Sequence, residues 1–196
     1  MGKVTAQFTM SLDGFIAGPN DEVDKIFRWY FSGDTDFPVA SANRVFKISR
    51  ASAEFLREEW GRIGAIVTGR RDFDVSEAWG GSSPLGVPIF IVTHAAPQEW
   101  VKEESPFTFV TDGVKRAIEK AKQVAGEKNV GVGGSKIVQQ CLKADLLDEL
   151  QIDLVPILLG EGIRLFDHLG PRPIELESTE VIEGAGVTHL RFQVVR

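Results

Sequence analysis

At 196 residues and 43% hydrophobic content, the chain suits a single domain, residues 1–196, built on one sizeable core. A formal net charge of -6 with scattered lysines and arginines gives no basic stripe for nucleic acid. The lone Cys141 excludes a disulfide framework and a cysteine-rich zinc site, and neither a leader-like start nor a bilayer-length apolar run is seen, so the expectation is a metal-free cytoplasmic protein with no membrane partner.

Val4, Ala6, Phe8 and Met10 alternate with Thr5, Gln7 and Thr9, which predicts a strand with one buried face, ending at Asp13-Gly14. From Val23 to Phe46 many aromatics mix with Gly33, Asp34, Asp36 and Pro38, a composition that suits a short helix and a long excursion. Ser49 can cap a helix with Phe55, Leu56 and Trp60 near one face, followed by a strand from Ala65 to Thr68. The run VPIFIVTH reads as a strand buried on both faces. Asp112 opens a helix with an apolar stripe from Val114 to Ala125, closed by Gly126, and the strand NVGVGG leads into a helix from Ser135 to about Ala144. This alternation argues for an α/β domain with a largely parallel sheet. Two alternating segments, 174–182 and 187–195, then predict an antiparallel hairpin around Glu183-Gly184-Ala185-Gly186.

Three places carry chemistry. Gly133 and Gly134 let backbone approach a ligand, and the helix start behind them offers N–H groups to an anion such as a pyrophosphate; the same pair also makes a tight turn with no ligand. A Rossmann reading fails, because the third glycine of its fingerprint is absent and the motif follows other strands. In AIVTGRRDF, a strand stops at Gly69 and delivers Arg70 and Arg71 at its carboxyl end, where arginine forks suit phosphate; the alternative is a surface pairing with Asp72 or Asp74. Thr93 and His94 end a third strand and can bond a ribose or phosphate. In SLDGFIAGPND, Asp13 is either a proton relay or plain turn chemistry. The aromatics of residues 26–46, Trp29 among them, either wall a substrate pocket or patch the core.

Taken in order, MSLDGFIA, VTGRRDF, VGVGGSKIVQQCLKADLLDEL and LVPILLGEGIRLFD resemble the dihydrofolate reductase superfamily, and within it the C-terminal reductase domain of bifunctional riboflavin-biosynthesis deaminase-reductases and its stand-alone relatives. The resemblance implies a mixed, mostly parallel sheet flanked by helices, with NADPH across the strand ends as hydride donor. It places Gly69, Arg70 and Arg71 at the cofactor phosphates and Thr93 and His94 near the adenosine. Gly133, Gly134, Ser135, Lys136 and Ile137 fall at the pyrophosphate, with Ala17 and Asp13 near the nicotinamide and substrate. The extra 2′-phosphate of NADPH would then partner the cationic groups. One cysteine cannot supply the zinc deaminase of the bifunctional enzymes, so only a reductase is expected. The implied substrate is a small polar heterocycle or sugar phosphate, such as the riboflavin-pathway 5-amino-6-ribosylaminouracil phosphate. A true dihydrofolate reductase and a non-catalytic nucleotide-binding module are the alternatives. Leu190, Phe192 and Val194 on one face of a late strand, with the resemblance, lead us to expect a homodimer.

Overall fold

The alternating start of the chain forms β1 (Val4–Ser11) in the computed structural model, which describes residues 2–39 and 44–196. After the Asp13-Gly14 turn, where Gly14 adopts a φ of 90°, the chain returns as β2 (Phe15–Ala17). The aromatic segment forms a 3-10 turn, Ile26–Phe31, and a hairpin of β3 (Thr35–Val39) and β4 (Arg44–Ile48); residues 40–43 of that segment lie outside the described residues. Ser49 caps α1 (Arg50–Gly61), its hydroxyl accepting from the Ser52 N–H at 3.2 Å. β5 (Ile63–Gly69) runs directly into the short α2 (Arg70–Val75).

After β6 (Ile89–Val92) and β7 (Phe107–Val110) comes α3 (Val114–Ala125). It starts behind Gly113, at a φ of 90°, and no side chain caps it, so Asp112 does not open it as expected. β8 (Asn129–Val132) leads through the two glycines into α4 (Ser135–Lys143). β9 (Glu149–Val155) follows, then the short β10 (Ile163–Arg164), which pairs antiparallel with β2. β11 (Leu176–Gly184) and β12 (Val187–Val194) close the chain as a hairpin turned at Ala185-Gly186.

Among the described residues the main sheet has eight strands in the order β11-β12-β9-β1-β8-β5-β6-β7. The six from β9 to β7 are parallel, and β12 and β11 join antiparallel at one edge. This is the α/β, mostly parallel sheet with a C-terminal antiparallel hairpin that the sequence predicts. One face packs its Val4, Ala6, Val67, Val130 and Ile152 against α3 and α4, forming the largest core. The other face has two separate covers. α1, β3, β4 and the 3-10 turn lie over the β12-β9-β1 side, while Phe73 of α2, with Trp79 and Trp100, lies over Ile89, Ile91 and Phe107. β1 is therefore covered on both faces, which corrects the expectation of one buried face: a strand at the middle of a sheet with layers on both sides has no solvent side. No helix among the described residues is long and apolar enough to cross a membrane.

Candidate functional site

β5 and β8 are parallel neighbours, yet α2 leaves β5 over one face of the sheet and α4 leaves β8 over the other. Where two adjacent strands send their helices to opposite faces, a crevice opens at their carboxyl ends, and ligands of open α/β sheets bind there. The structure thus brings together the two motifs singled out in the sequence, 64 residues apart in Gly69 and Gly133 by numbering. The Gly133 N–H donates to Val67 O at 2.9 Å, and a Cβ on Gly134 would stand 3.7 Å from Gly69 N. A Cβ on Gly133 would stand 3.0 Å from Thr68 Oγ1 and 3.2 Å from Asp72 Oδ2, and Gly134 has a φ of 76°, so neither position suits a larger residue. The N–H groups of Ile137 and Val138 return to Gly134 O, which leaves the first amides of α4, at Ser135 and Lys136, ahead of the helical ladder. Ile137 itself is buried, 3.2 Å from a Cβ placed on Gly69, while Lys136 is exposed.

The charges at this crevice are more evenly matched than the sequence suggests. Arg70 Nε donates to Asp74 Oδ1 at 2.7 Å, and Arg71 donates twice to Asp21, from Nη2 at 2.7 Å and Nε at 3.2 Å. Below them Asp72 accepts from the buried Thr68 hydroxyl at 2.6 Å. Desolvation raises the Asp72 carboxyl above its usual range, against the opposing effect of that hydrogen bond. Each arginine already has a carboxylate partner in the free chain: Arg70 has Asp74, one of the two surface partners that the sequence offered, and Arg71 has the more distant Asp21. At the end of β6, beside Gly69, the Thr93 hydroxyl closes a local turn with Ala95, and His94 is exposed.

Asp13 does not have the environment of a proton relay. Its carboxylate accepts from Ser11 Oγ at 2.6 Å and from the amides of Leu159 and Gly160 at 3.1 and 2.8 Å. The Ser11 bond, followed by those amides, lowers its carboxyl to about 2, so it is ionised throughout the neutral range and holds the 157–160 loop to the end of β1. Ala17 is buried, and the carbonyl of Ala17 packs so closely on Gly162, whose φ is 142°, that a Cβ there would collide with it. Two surface concavities, one lined by Lys3, Asp148 and Arg196 and one by Ser83, Gly86 and Pro106, contain none of these residues.

Trp29 does not wall a pocket. It is 2% exposed within the α1-side core, its indole stacked on Tyr30 with centroids 4.0 Å apart and its Nε1 donating to Thr9 Oγ1 at 3.3 Å. It is a core residue and offers no free face as a pocket wall. What it covers is a polar array that the sequence reading missed. Thr9, Asp153 and His189 lie side by side across β1, β9 and β12. Asp153 Oδ1 is 2.7 Å from His189 Nδ1, and His189 Nε2 is 2.8 Å from Ser52 Oγ on α1. Gln7 donates to Asp153 Oδ2 at 3.0 Å, and Phe55 stacks on the imidazole. Burial, with the charge of Asp153 nearby, pushes the Tyr30 phenol above its usual range.

The family model described as the RibD C-terminal domain matches residues 2–189. Uncharacterized protein YwjB of Bacillus subtilis (strain 168) is 23% identical over 167 residues, covering 85% of this chain and 84% of its own. Among solved structures, a Shewanella sp. PV-4 protein named for riboflavin biosynthesis superposes with a TM-score of 0.73 at 24% identity over 99% of each chain. The riboflavin biosynthesis reductase Rib7 of Saccharomyces cerevisiae does so with a TM-score of 0.63 at 14% identity, over 99% of this chain and 90% of its own. These likenesses show the fold, and the match over nearly the whole sequence shows that the chain belongs to the RibD C-terminal domain family.

Proposed function

We propose that the chain is an NADPH-dependent reductase of a small polar heterocycle or sugar phosphate, with the riboflavin-pathway 5-amino-6-ribosylaminouracil phosphate as first candidate. The observation that carries this reading is the crevice at the carboxyl ends of β5 and β8, where Gly69 and the Gly133-Gly134 pair meet. Family membership and the name of the Rib7 relative support the reaction class. The leading amides of α4, at Ser135 and Lys136, fit a pyrophosphate. Arg70 and Arg71 fit a further phosphate once it displaces their carboxylates. When bound, the dinucleotide would supply the hydride, and the chain's own task is to hold and orient it. With Asp13 ionised and bonded to the 157–160 loop, a bound water is the remaining one of the two proton donors that the sequence suggested.

Fluorescence titration with NADPH tests the reading. Wild-type protein should bind it, and Gly134→Val, which puts a branched side chain at a φ of 76°, should weaken NADPH and NADH alike. Consumption of NADPH with the aminouracil substrate would then fix the reaction, and consumption with dihydrofolate instead would favour the folate alternative. Stoichiometric binding without turnover on either would leave a nucleotide-binding module.

The homodimer belongs to the same proposal. Leu190, Phe192 and Val194 are only partly covered by the large core, and Val181 beside Leu190 on the edge strand is 59% exposed. A second copy would cover this face.

A further inference from the structure

Resting on the reductase reading above, we propose that Asp21 is a built-in competitor for the nucleotide phosphate. Its carboxylate occupies Arg71 in the free chain and ties the loop after β2 to α2, and a phosphate arriving at Arg71 releases that loop. The two-pronged geometry is the one a guanidinium uses toward phosphate: Nη2 to one carboxylate oxygen at 2.7 Å and Nε to the other at 3.2 Å. Asp21 therefore fills the donor fork that a phosphate would need.

Local structure presents Asp21 for this contact. Gly18 N–H donates to Glu22 O at 2.8 Å and Asp21 N–H to Gly18 O at 3.2 Å, closing a five-residue loop, 18–22. Glu22 braces it by accepting from the amide and side chain of Asn20 at 2.8 and 2.9 Å, and that side-chain bond leads in pulling the Glu22 carboxyl below its usual range. Asp21 takes a φ of 64°, a left-handed conformation that aspartate and asparagine accept more readily than most residues. The turn thus points its carboxylate at a partner 50 positions away in sequence.

The pair differs from that of Arg70. Arg70 is bonded to Asp74 one turn along its own helix, so its partner moves with it. Arg71–Asp21 instead joins two separate segments, and among the described residues it is the one ion pair that Asp21 makes. Because Arg71 and Asp21 cancel each other, an added phosphate gains the full attraction of Arg71 only by displacing the carboxylate. NADH, lacking the 2′-phosphate, has no group to make that exchange.

The test compares wild type with Asp21→Asn, which removes the charge and keeps a residue tolerant of left-handed backbone. NADPH should bind Asp21→Asn about two- to fivefold more tightly, the range expected for an exposed ion pair, while NADH affinity stays the same. Amide hydrogen exchange at residues 18–22 should quicken in the variant without nucleotide, and in wild type on adding NADPH but not NADH. An unchanged NADPH affinity in Asp21→Asn, alongside a loss in Arg71→Ser, would overturn the inference and leave the reductase reading intact. Absence of NADPH binding in both wild type and Asp21→Asn would overturn the reading and the inference together.

Discussion

The two faces of β9, β1 and β12 are made of the same backbone and carry opposite chemistry. Toward α4 they present Ala6, Phe8, Met10, Leu150, Ile152, Leu154, Leu190 and Phe192. Toward α1 they present Thr5, Gln7, Thr9, Glu149, Gln151, Asp153, His189 and Arg191, with Thr5, Thr9, Glu149, Gln151, Asp153 and His189 all buried. The apolar face is stabilised by removal of surface from water and needs no directional partner. The polar face is held by directional bonds that run in chains: Gln151, Arg191 and Arg62 all donate to the buried Glu59 of α1, and Asp153, His189, Ser52 and Ser49 continue toward the helix start, while Glu149 Oε2 and Arg191 Nε are left without a hydrogen-bond partner among the described residues. Such an array fixes the register and position of α1 more sharply than grease would, because every partner has one place to be. Alternation in sequence thus reports the two sides of a strand and leaves open whether the polar side meets water.

The largest expected effects come from breaking the polar face. Asp153→Ala leaves His189 Nδ1 and Gln7 Nε2 without their acceptor in a buried setting, and should cost about 3 to 5 kcal/mol by urea unfolding. Replacing Asp153 and His189 together by leucine should cost less than that single change, since no buried imidazole is left without its acceptor and only the Gln7 and Ser52 side chains, which keep partners in Trp60 and Ser49, lose a bond. A double variant less stable than Asp153→Ala would mean that the array stabilises through its charges rather than through mutual satisfaction.

Trp29→Ala removes the lid of the same array. Loss of a buried indole typically costs roughly 3 to 5 kcal/mol, so the melting temperature should fall sharply. A variant that melts like wild type but fails to turn over substrate would return Trp29 to the pocket wall.

On the apolar face the expected effect is on assembly rather than on the fold. Phe192→Glu places a charge among residues that are only partly covered, and should move the mass seen by light scattering from dimer to monomer at micromolar concentration. Wild type already monomeric at that concentration would leave this face as the plain flank of an edge hairpin.

Much of the fold was legible because its signals are local. The β8-to-α4 junction, the Ser49 cap, the Gly126 stop and the late hairpin all rest on residues whose backbone or capping role is fixed by type. The β3–β4 hairpin was not legible: Pro38 and the aromatics there read as an excursion, and pairing such as Phe37 with Phe46 is a tertiary fact. The glycines of the candidate site were legible because a close approach to Thr68 and Asp72 admits little else. The carboxylates were not. Asp21 reaches Arg71 across 50 positions, and Asp153 and His189 meet only when β12 pairs with β9. The signal available was the repetition of polar alternation in ELQIDLV and VTHLRFQV, which matches that of β1 and marks a shared face.

The smallest effect belongs to Asp13, a single carboxylate in the turn after β1. Its bonds to Ser11, Leu159 and Gly160 lower its carboxyl from 3.8 to about 2 in the folded chain. A group whose folded value lies below its unfolded one contributes stability that is fully present above the unfolded value and is lost as pH falls through the folded one. Wild type should therefore lose a small increment of stability between about pH 4 and pH 2, and Asp13→Asn should lack that increment, seen as a flatter difference in melting temperature across the same window. If turnover is established, Asp13→Asn should keep most of it at neutral pH, because an ionised carboxylate bonded to two amides donates no proton there. A general acid would instead lose about 10²- to 10⁴-fold in kcat when so replaced. A loss of that size with unchanged melting would restore Asp13 to the chemistry, and retained turnover with the altered pH dependence would fix it as the clasp between β1 and the 157–160 loop.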